Sequence, residues 1–366
     1  MEFHTFHLLH WPEDEWTHQQ VYKYEMEMIE YAEELGFDGA WIAEHHFRNY
    51  GICPSIMNFA SFVAARTSRI KIGSGVVVLP FHNPLRAAED AAMVDLLSGG
   101  RLMYGFGRGY QGWEFNGFQR SLEEARERTD EALEILKLAW ADGPFSYDGK
   151  FFKVEDVEVL PKPLQRPHPP MWTAAVSPET VARYAAKGIP FFTEALATFG
   201  RCKRASEEWH KIAAENGHDV SNSQLGVQRG LILAETMKEA REMAERSLSF
   251  QQAPTIINKG SAPLERTGEF AASYSFWKDR YLKGNKALDV EMVWDKIWVA
   301  GDPDRVRSCV EMFQDMGYKH LMFTLGTPPY VTVEENKRRL KLFAEEVMPH
   351  FRSPAPAPAP DSRSSG

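Results

Sequence analysis

The chain has 366 residues, 43% of them hydrophobic and 25% charged, a globular mixture with enough apolar surface for a large core. Lysine and arginine number 42 against 51 aspartates and glutamates, and a net charge of −9 works against a nucleic-acid partner. No apolar run reaches the ~18 residues of a membrane span, and Met1 to Trp16 lack the basic and apolar regions of a secretion signal, so a cytoplasmic protein without membrane association is expected.

Short β-type runs alternate with helical stretches along the chain, the pattern of βαβ units around a parallel sheet. The first strand is expected over Glu2 to Leu9. A helix from about Thr17 to Leu35 follows, its Met28, Ala32 and Leu35 recurring at helical spacing before Gly36 stops it. Strands follow at Gly39 to Ala43, Ile70 to Leu79 and Arg101 to Phe106, the last two each preceded by a helix, Ser55 to Arg66 and Pro84 to Leu97. After a helix over Leu122 to Trp140, the turn Tyr147-Asp148-Gly149-Lys150 and the proline-rich Leu160 to Pro170 mark an insertion outside the repeating pattern. The alternation resumes with strands at Pro170 to Val176, Ile189 to Leu196, Leu225 to Ala234 and His320 to Leu325.

Eight strands in this order predict an α/β fold, a (β/α)8 TIM barrel with insertions, occupying residues 1–352 as one domain. Residues 253–297 are too long for a simple connection and are expected to form a lid. Residues 353–366, rich in Pro, Ala and Ser, are expected to be a disordered tail. Cys53, Cys202 and Cys309 are widely spaced and form no C-x-x-C, which predicts buried thiols rather than a metal or disulfide framework.

Active sites of such barrels gather at the carboxyl ends of the strands. That rule selects His45 and His46, Gly73-Ser74-Gly75, Arg108, Ser177, Glu194 and Arg229. Adjacent residues on a strand point to opposite faces, so one of His45 and His46 is expected at the mouth; no metal is expected, since the pair lacks the spacing of a zinc motif. Arg108 between Gly107 and Gly109 suits an anion approached closely by backbone. Ser177-Pro178-Glu179-Thr180 reads as a capped helix start, which can also gather a phosphate. A glycine pair inside a Val/Ile-rich strand is accounted for either by a flat ring lying close or by a bulge.

These residues carry a resemblance. Glu33-Glu34-Leu35-Gly36-Phe37-Asp38, Trp41-Ile42-Ala43-Glu44-His45-His46-Phe47, Val78-Leu79-Pro80 with His82-Asn83-Pro84 and Arg86, Gly99-Gly100-Arg101 leading to Gly107-Arg108-Gly109, Phe276-Trp277-Lys278-Asp279 and Glu346-Val347-Met348-Pro349 stand in the order found in the luciferase-like flavin monooxygenases. The chain resembles that family, close to the luciferase α subunit, from about Glu2 to Phe351.

The resemblance implies a two-component, FMN-dependent monooxygenase. A separate flavin reductase would supply reduced FMN, O2 would add to it as a flavin 4a-hydroperoxide, and a small apolar carbonyl or related organic compound would be oxidised. It assigns acid–base catalysis to His45. It assigns the FMN phosphate to Arg108, Arg126, Ser177 and Thr180, with Val176 beside them, a cis peptide under the ring to Gly75-Val76, and a place near the pocket to Trp277. It also implies a homodimer. Where the luciferase α subunit has a glutamate before the phosphate-site serine and a cysteine before the arginine, this chain has Val176 and Gly107. The Phe81-His82-Asn83-Pro84 and Lys150-Phe151-Phe152 segments look more like diketocamphane-type Baeyer–Villiger members. Two rivals share the barrel: a deazaflavin-dependent hydride-transfer enzyme and a flavin-binding relative without turnover.

Overall fold

The computed structural model describes residues 1–13, 15–175, 177–251, 289–326 and 331–352. In chain order the elements are β1 (Glu2–His7), α1 (His18–Glu34), β2 (Gly39–Ile42), α2 (Ile56–Arg66), β3 (Lys71–Ser74), β4 (Val77–Val78), α3 (Pro84–Leu97), β5 (Leu102–Gly107), α4 (Gly112–Gly117) and α5 (Ala125–Trp140). The hairpin β6 (Phe145–Asp148) and β7 (Lys153–Val157) follows, then β8 (Met171–Ala175), α6 (Pro178–Ala185), β9 (Phe191–Thr193), α7 (Phe199–Glu215), β10 (Gly226–Leu233) and α8 (Met237–Gln251). The chain continues through α9 (Val290–Lys296), β11 (Val299–Gly301), α10 (Pro303–Asp315), β12 (His320–Thr324) and α11 (Val333–Glu346).

All pairings among the barrel strands are parallel. They run β1-β2-β3-β5-β8-β9-β10-β12 and back to β1, so eight strands close on themselves. The third strand departs from its expected continuous run: it splits at the Gly75–Val76 peptide, which is cis, and resumes as β4 beside β5. Closure gives each of the eight strands a partner on both sides, and the three-residue β11 adds a further parallel partner to β10.

Why these segments take their places follows from capping and alternation. Thr17 and Thr332 each close a capping box with Gln20 and Glu335, so α1 and α11 start with their first amides satisfied. Asn83, Ser177 and Asp302 cap helices that have proline in the first turn. Outward strand residues such as Phe3, Ile42 and Leu321 join the main core beneath the helices, whereas Phe6, Trp41, Met103, Trp172, Phe192 and Met322 form a separate cluster inside the barrel. Gly73 belongs to that interior: a Cβ there would lie 2.3 Å from the Trp41 ring. Its close neighbour is therefore an indole, not the ligand that its place in the strand allowed.

The expected insertion is present, an antiparallel hairpin outside the barrel held by Glu131 of α5, which accepts the backbone N–H groups of Lys150, Phe151 and Phe152. The three cysteines are free; Cys53 and Cys202 are buried, and burial pushes the thiol pKa of all three up, to about 12 for Cys53. Of the segment expected as a lid, 289–297 carries α9, whose Val293 and Trp294 are buried; its remainder, the tail, Val176 and Trp277 lie outside the described residues. Among the described residues no helix is long and apolar enough to cross a membrane.

Candidate active site

At the carboxyl ends of the strands the barrel opens into a cavity of about 420 Å³. Its lining has two chemically distinct poles, and Gly75, Val76 and Gly107 line it as well. Tight packing keeps that stretch bare: a Cβ on Gly107 would come 2.7 Å from Val76 Cγ2, and one on Gly75 would come 2.8 Å from Phe6.

One pole is cationic. Arg108 enters from the end of β5, Arg126 from the first turn of α5, and Arg183 from α6, beside the α6 start where Ser177 and Thr180 lie. Ser177 Oγ accepts the Thr180 N–H at 3.3 Å and stands 3.0 Å from Thr180 Oγ1. Arg126 grips Glu179 with both terminal nitrogens, one at 3.0 Å, and this bond holds the exposed Glu179 carboxyl below its usual range, aided by the charges of Arg108 and Arg183. Arg183 donates to Asp130 at 2.6 Å, while its buried Nε has no hydrogen-bond partner.

The other pole is aromatic and ionic. His45 lines the cavity beside Tyr50, with ring centroids 4.6 Å apart, and its Nδ1 lies 2.9 Å from Glu114 Oε1. A carboxylate can only accept, so Nδ1 carries the hydrogen and Nε2 is the basic nitrogen of the neutral ring. Glu114 is buried on α4, and the same oxygen accepts the backbone N–H of His46 at 2.9 Å, which fixes the carboxylate and the turn together.

His46 does not line the cavity; both histidines lie beyond the end of β2 at Ile42, in the turn that follows it. His46 packs against Phe81 and Phe118 and bonds Glu44 at 3.0 Å, and His82 bonds the same carboxylate at 2.9 Å. Burial would raise the Glu44 pKa, but the hydrogen bonds from His46 and His82 outweigh it and hold the carboxyl well below the usual range. For His82, burial opposes the charge, yet the bond to Glu44 raises its pKa.

Of the residues singled out from sequence, His45, Gly75, Val76, Arg108, Arg126, Ser177, Thr180 and Glu194 line this one cavity. Arg229 does not: it is fully buried, donates to the carbonyls of Glu194 and Gln228, and stacks on Phe313 of α10. Its neighbour Gln228 faces the cavity instead, which is the alternation of β10 at work. Sequence reading missed Glu114, Glu44 and Arg183. A search for carboxylates in the stretch after β5, and for a cation one turn beyond Thr180, would have found the first and the last.

The donor set suits a flat cofactor ending in a phosphate. Three guanidinium groups and two hydroxyls gather around the start of α6, and Gly75 and Gly107 expose backbone to the same cavity. Much of the remaining wall is apolar, with Phe6, Leu8, Leu196, Ile232 and Trp298, and it is interrupted by Glu194, Gln228 and Arg339.

Residues 1–320 match the family model described as luciferase-like monooxygenase. The alkanal monooxygenase alpha chain of Photobacterium leiognathi is 28% identical over 351 residues, 92% of this chain and 96% of that one. The oxygenase component of the flavin-dependent trigonelline monooxygenase of Acinetobacter baylyi is 27% identical over 368 residues, 96% of each chain. Among solved structures, a monooxygenase from Streptomyces bottropensis superposes with a TM-score of 0.78 at 25% identity, covering 96% of this chain and 100% of that chain. The F420-dependent tetrahydromethanopterin reductase of Methanopyrus kandleri shares the fold, with a TM-score of 0.70 at 21% identity over 96% of this chain and 99% of that chain. With most of its length matched by the family model and relatives that are flavin-dependent monooxygenases, the chain belongs to the luciferase-like monooxygenase family.

Proposed function

We propose that this chain is the oxygenase half of a two-component system in the cytoplasm, taking reduced FMN from a separate flavin reductase and using O2 to oxygenate a small, largely apolar organic substrate. The observation that carries the reading is the two-pole cavity, lined by the cluster of Arg108, Arg126, Arg183, Ser177 and Thr180 and by the His45–Glu114 pair.

In this reading Arg108 and Arg183 meet the phosphate with directional N–H groups, and Arg126 joins them by sharing or leaving Glu179. Ser177 and Thr180 add hydroxyl donors. Reduced FMN, when bound, supplies two electrons to O2 so that one oxygen atom reaches the substrate and the other leaves as water. His45 accepts and returns a proton at Nε2, while Glu114 keeps the ring in one tautomer and stabilises the imidazolium that forms. The Glu44–His46–His82 cluster fixes the backbone that presents His45. The apolar part of the wall, Phe6, Leu8, Leu196, Ile232 and Trp298, excludes water and favours a largely apolar substrate.

The family likeness also leads us to propose a homodimer. Phe62 of α2 and Met93 and Leu97 of α3 are 48%, 47% and 63% exposed on neighbouring helices, and light scattering should return twice the chain mass.

Anaerobic titration with reduced FMN and with reduced F420, followed by 18O2 exposure in the presence of candidate aldehydes, cyclic ketones and terpenoids, tests the reading. Preferential uptake of reduced FMN and one labelled oxygen in a product are expected. Preferential uptake of F420 would move the chain to hydride transfer, and tight FMN binding without O2-dependent turnover of any substrate would make it a flavin carrier.

A further inference from the structure

The far end of the barrel holds a second polar cluster that the proposed reaction does not use. Glu2 and His4 sit two residues apart on β1 and so share a face, and Glu2 is paired in register with His320 of β12. His4 Nε2 and His320 Nδ1 are 3.0 Å apart, and Glu2 Oε2 lies 3.7 Å from the former and 3.4 Å from the latter. A tetrahedral ion with bonds of about 2.0–2.1 Å has ligand-to-ligand edges of about 3.3–3.4 Å. The three atoms thus already outline one face of such a tetrahedron.

The surroundings favour coordination. Gln224 Oε1 accepts from His320 Nε2 at 2.8 Å, which leaves the His320 lone pair on Nδ1, facing the other two atoms. His4 Nδ1 has no hydrogen-bond partner, so the ring's one contact outside its own packing is through Nε2, and its hydrogen can move to Nδ1 without net loss of a proton. Lys71 donates to both oxygens of Glu2, at 3.0 and 2.9 Å, orienting the carboxylate and remaining on Oε1 when Oε2 binds. Both imidazoles are buried, and Glu2 is partly exposed, which gives an entry path and room for a water. Between this cluster and the cavity stand Trp41, Met103, Trp172, Phe192 and Met322, so the two sites are separate.

We propose that Glu2, His4 and His320 form a three-ligand site for Zn2+, completed by water, that clasps the first barrel strand to the last at the seam where the barrel closes. Two imidazoles and one carboxylate suit Zn2+; Mg2+ and Ca2+ call for sets made of oxygen. A metal at this seam stabilises the folded chain by binding it in preference to the unfolded one, where His320 lies more than 300 residues from the other two ligands.

The test uses the full-length chain after chelator treatment. Titration with Co2+ should give one equivalent of a tetrahedral visible absorption band, displaced by Zn2+ and indifferent to Mg2+. Zn2+ at about a hundredfold excess over its dissociation constant should raise the melting temperature by roughly 3–5 °C. Glu2→Ala should weaken the metal at least tenfold and His320→Gln should abolish the band, with FMN affinity unchanged in both. Failure of the wild type to take up Co2+ or Zn2+, or uptake undiminished in Glu2→Ala, overturns the proposal. Should His320→Gln fail to fold, Glu2→Ala decides, because that side chain is partly exposed and packs no core.

Discussion

At the cationic pole of the cavity, Arg126 is paired with a carboxylate that is 60% exposed and can exchange it for another anion, whereas at the opposite pole His45 is paired with a carboxylate that is 1% exposed and bonded to backbone as well. The first arrangement suits a group that arrives and leaves, since an exposed ion pair is worth little and is easily traded. The second suits a group that must hold one orientation through every turnover, since a buried charged hydrogen bond is costly to break. Under the proposed function, anchoring and proton handling would fall to different kinds of pair within one cavity.

Removing the imidazole should break the comparison most severely. His45→Ala is expected to lower oxygenation turnover by roughly 10²–10⁴-fold, the range for a positioned acid–base group, while the FMN dissociation constant moves by less than about threefold; stopped-flow and binding measurements on one preparation separate the two. At the other pole the pattern reverses. Arg108→Ala should weaken FMN by about 1.5–3 kcal/mol, or roughly 10- to 150-fold, and an unaltered dissociation constant would remove Arg108 from the anchor.

Glu114→Gln retains the shape and removes the charge, so kcat should fall by about tenfold with little change in FMN affinity, because the His45 ring loses the charged acceptor on its Nδ1. A change confined to thermal stability would make Glu114 structural only.

The Glu44 cluster gives a pH signature for the same pole. The folded Glu44 carboxyl lies below its unfolded value, so its contribution is complete above about pH 4.5 and is lost as the pH falls below that. His82 is shifted upward, so its contribution is complete below about pH 6.5 and fades as the pH rises through its folded value. Denaturant unfolding should therefore show the gap between wild type and Glu44→Gln shrinking from about pH 5 toward about pH 3; a constant gap would mean that Glu44 is not acting as a charge. The smallest effect belongs to the exchangeable pair: Glu179→Gln frees Arg126 and should tighten FMN by at most about fivefold, and weakening would show that Glu179 helps rather than competes.

The barrel was legible because each of its eight strands is a β-type run flanked by helical periodicity; that only His45 of the adjacent pair lines the cavity agrees with the expectation, although the two stand in the turn after β2 and not on the strand itself. Two things stayed hidden for physical reasons. The strand β11 is three residues long, too short for any periodicity, and follows directly on a stretch whose length suggested a loop. Helix α4 reads Gly-Trp-Glu-Phe-Asn-Gly, poor in helix formers, so nothing marked Glu114 as lying on a helix that returns to the second strand's exit. Arg229 was misplaced because the strand-end rule says where along β10 a residue sits but not to which face it turns. Gly73 was ambiguous for a related reason: a glycine in a strand signals close approach without naming what approaches, and here it is Trp41.

The central claim is that one cavity holds the phosphate of reduced FMN at Arg108 and Ser177 and its ring along Gly75 and Val76 toward His45. A crystal structure of the anaerobic complex with reduced FMN tests it most directly. The phosphate should lie within hydrogen-bonding distance of Arg108 and Ser177, with the isoalloxazine edge facing His45; a phosphate bound elsewhere, or a ring turned away from that imidazole, would contradict the account.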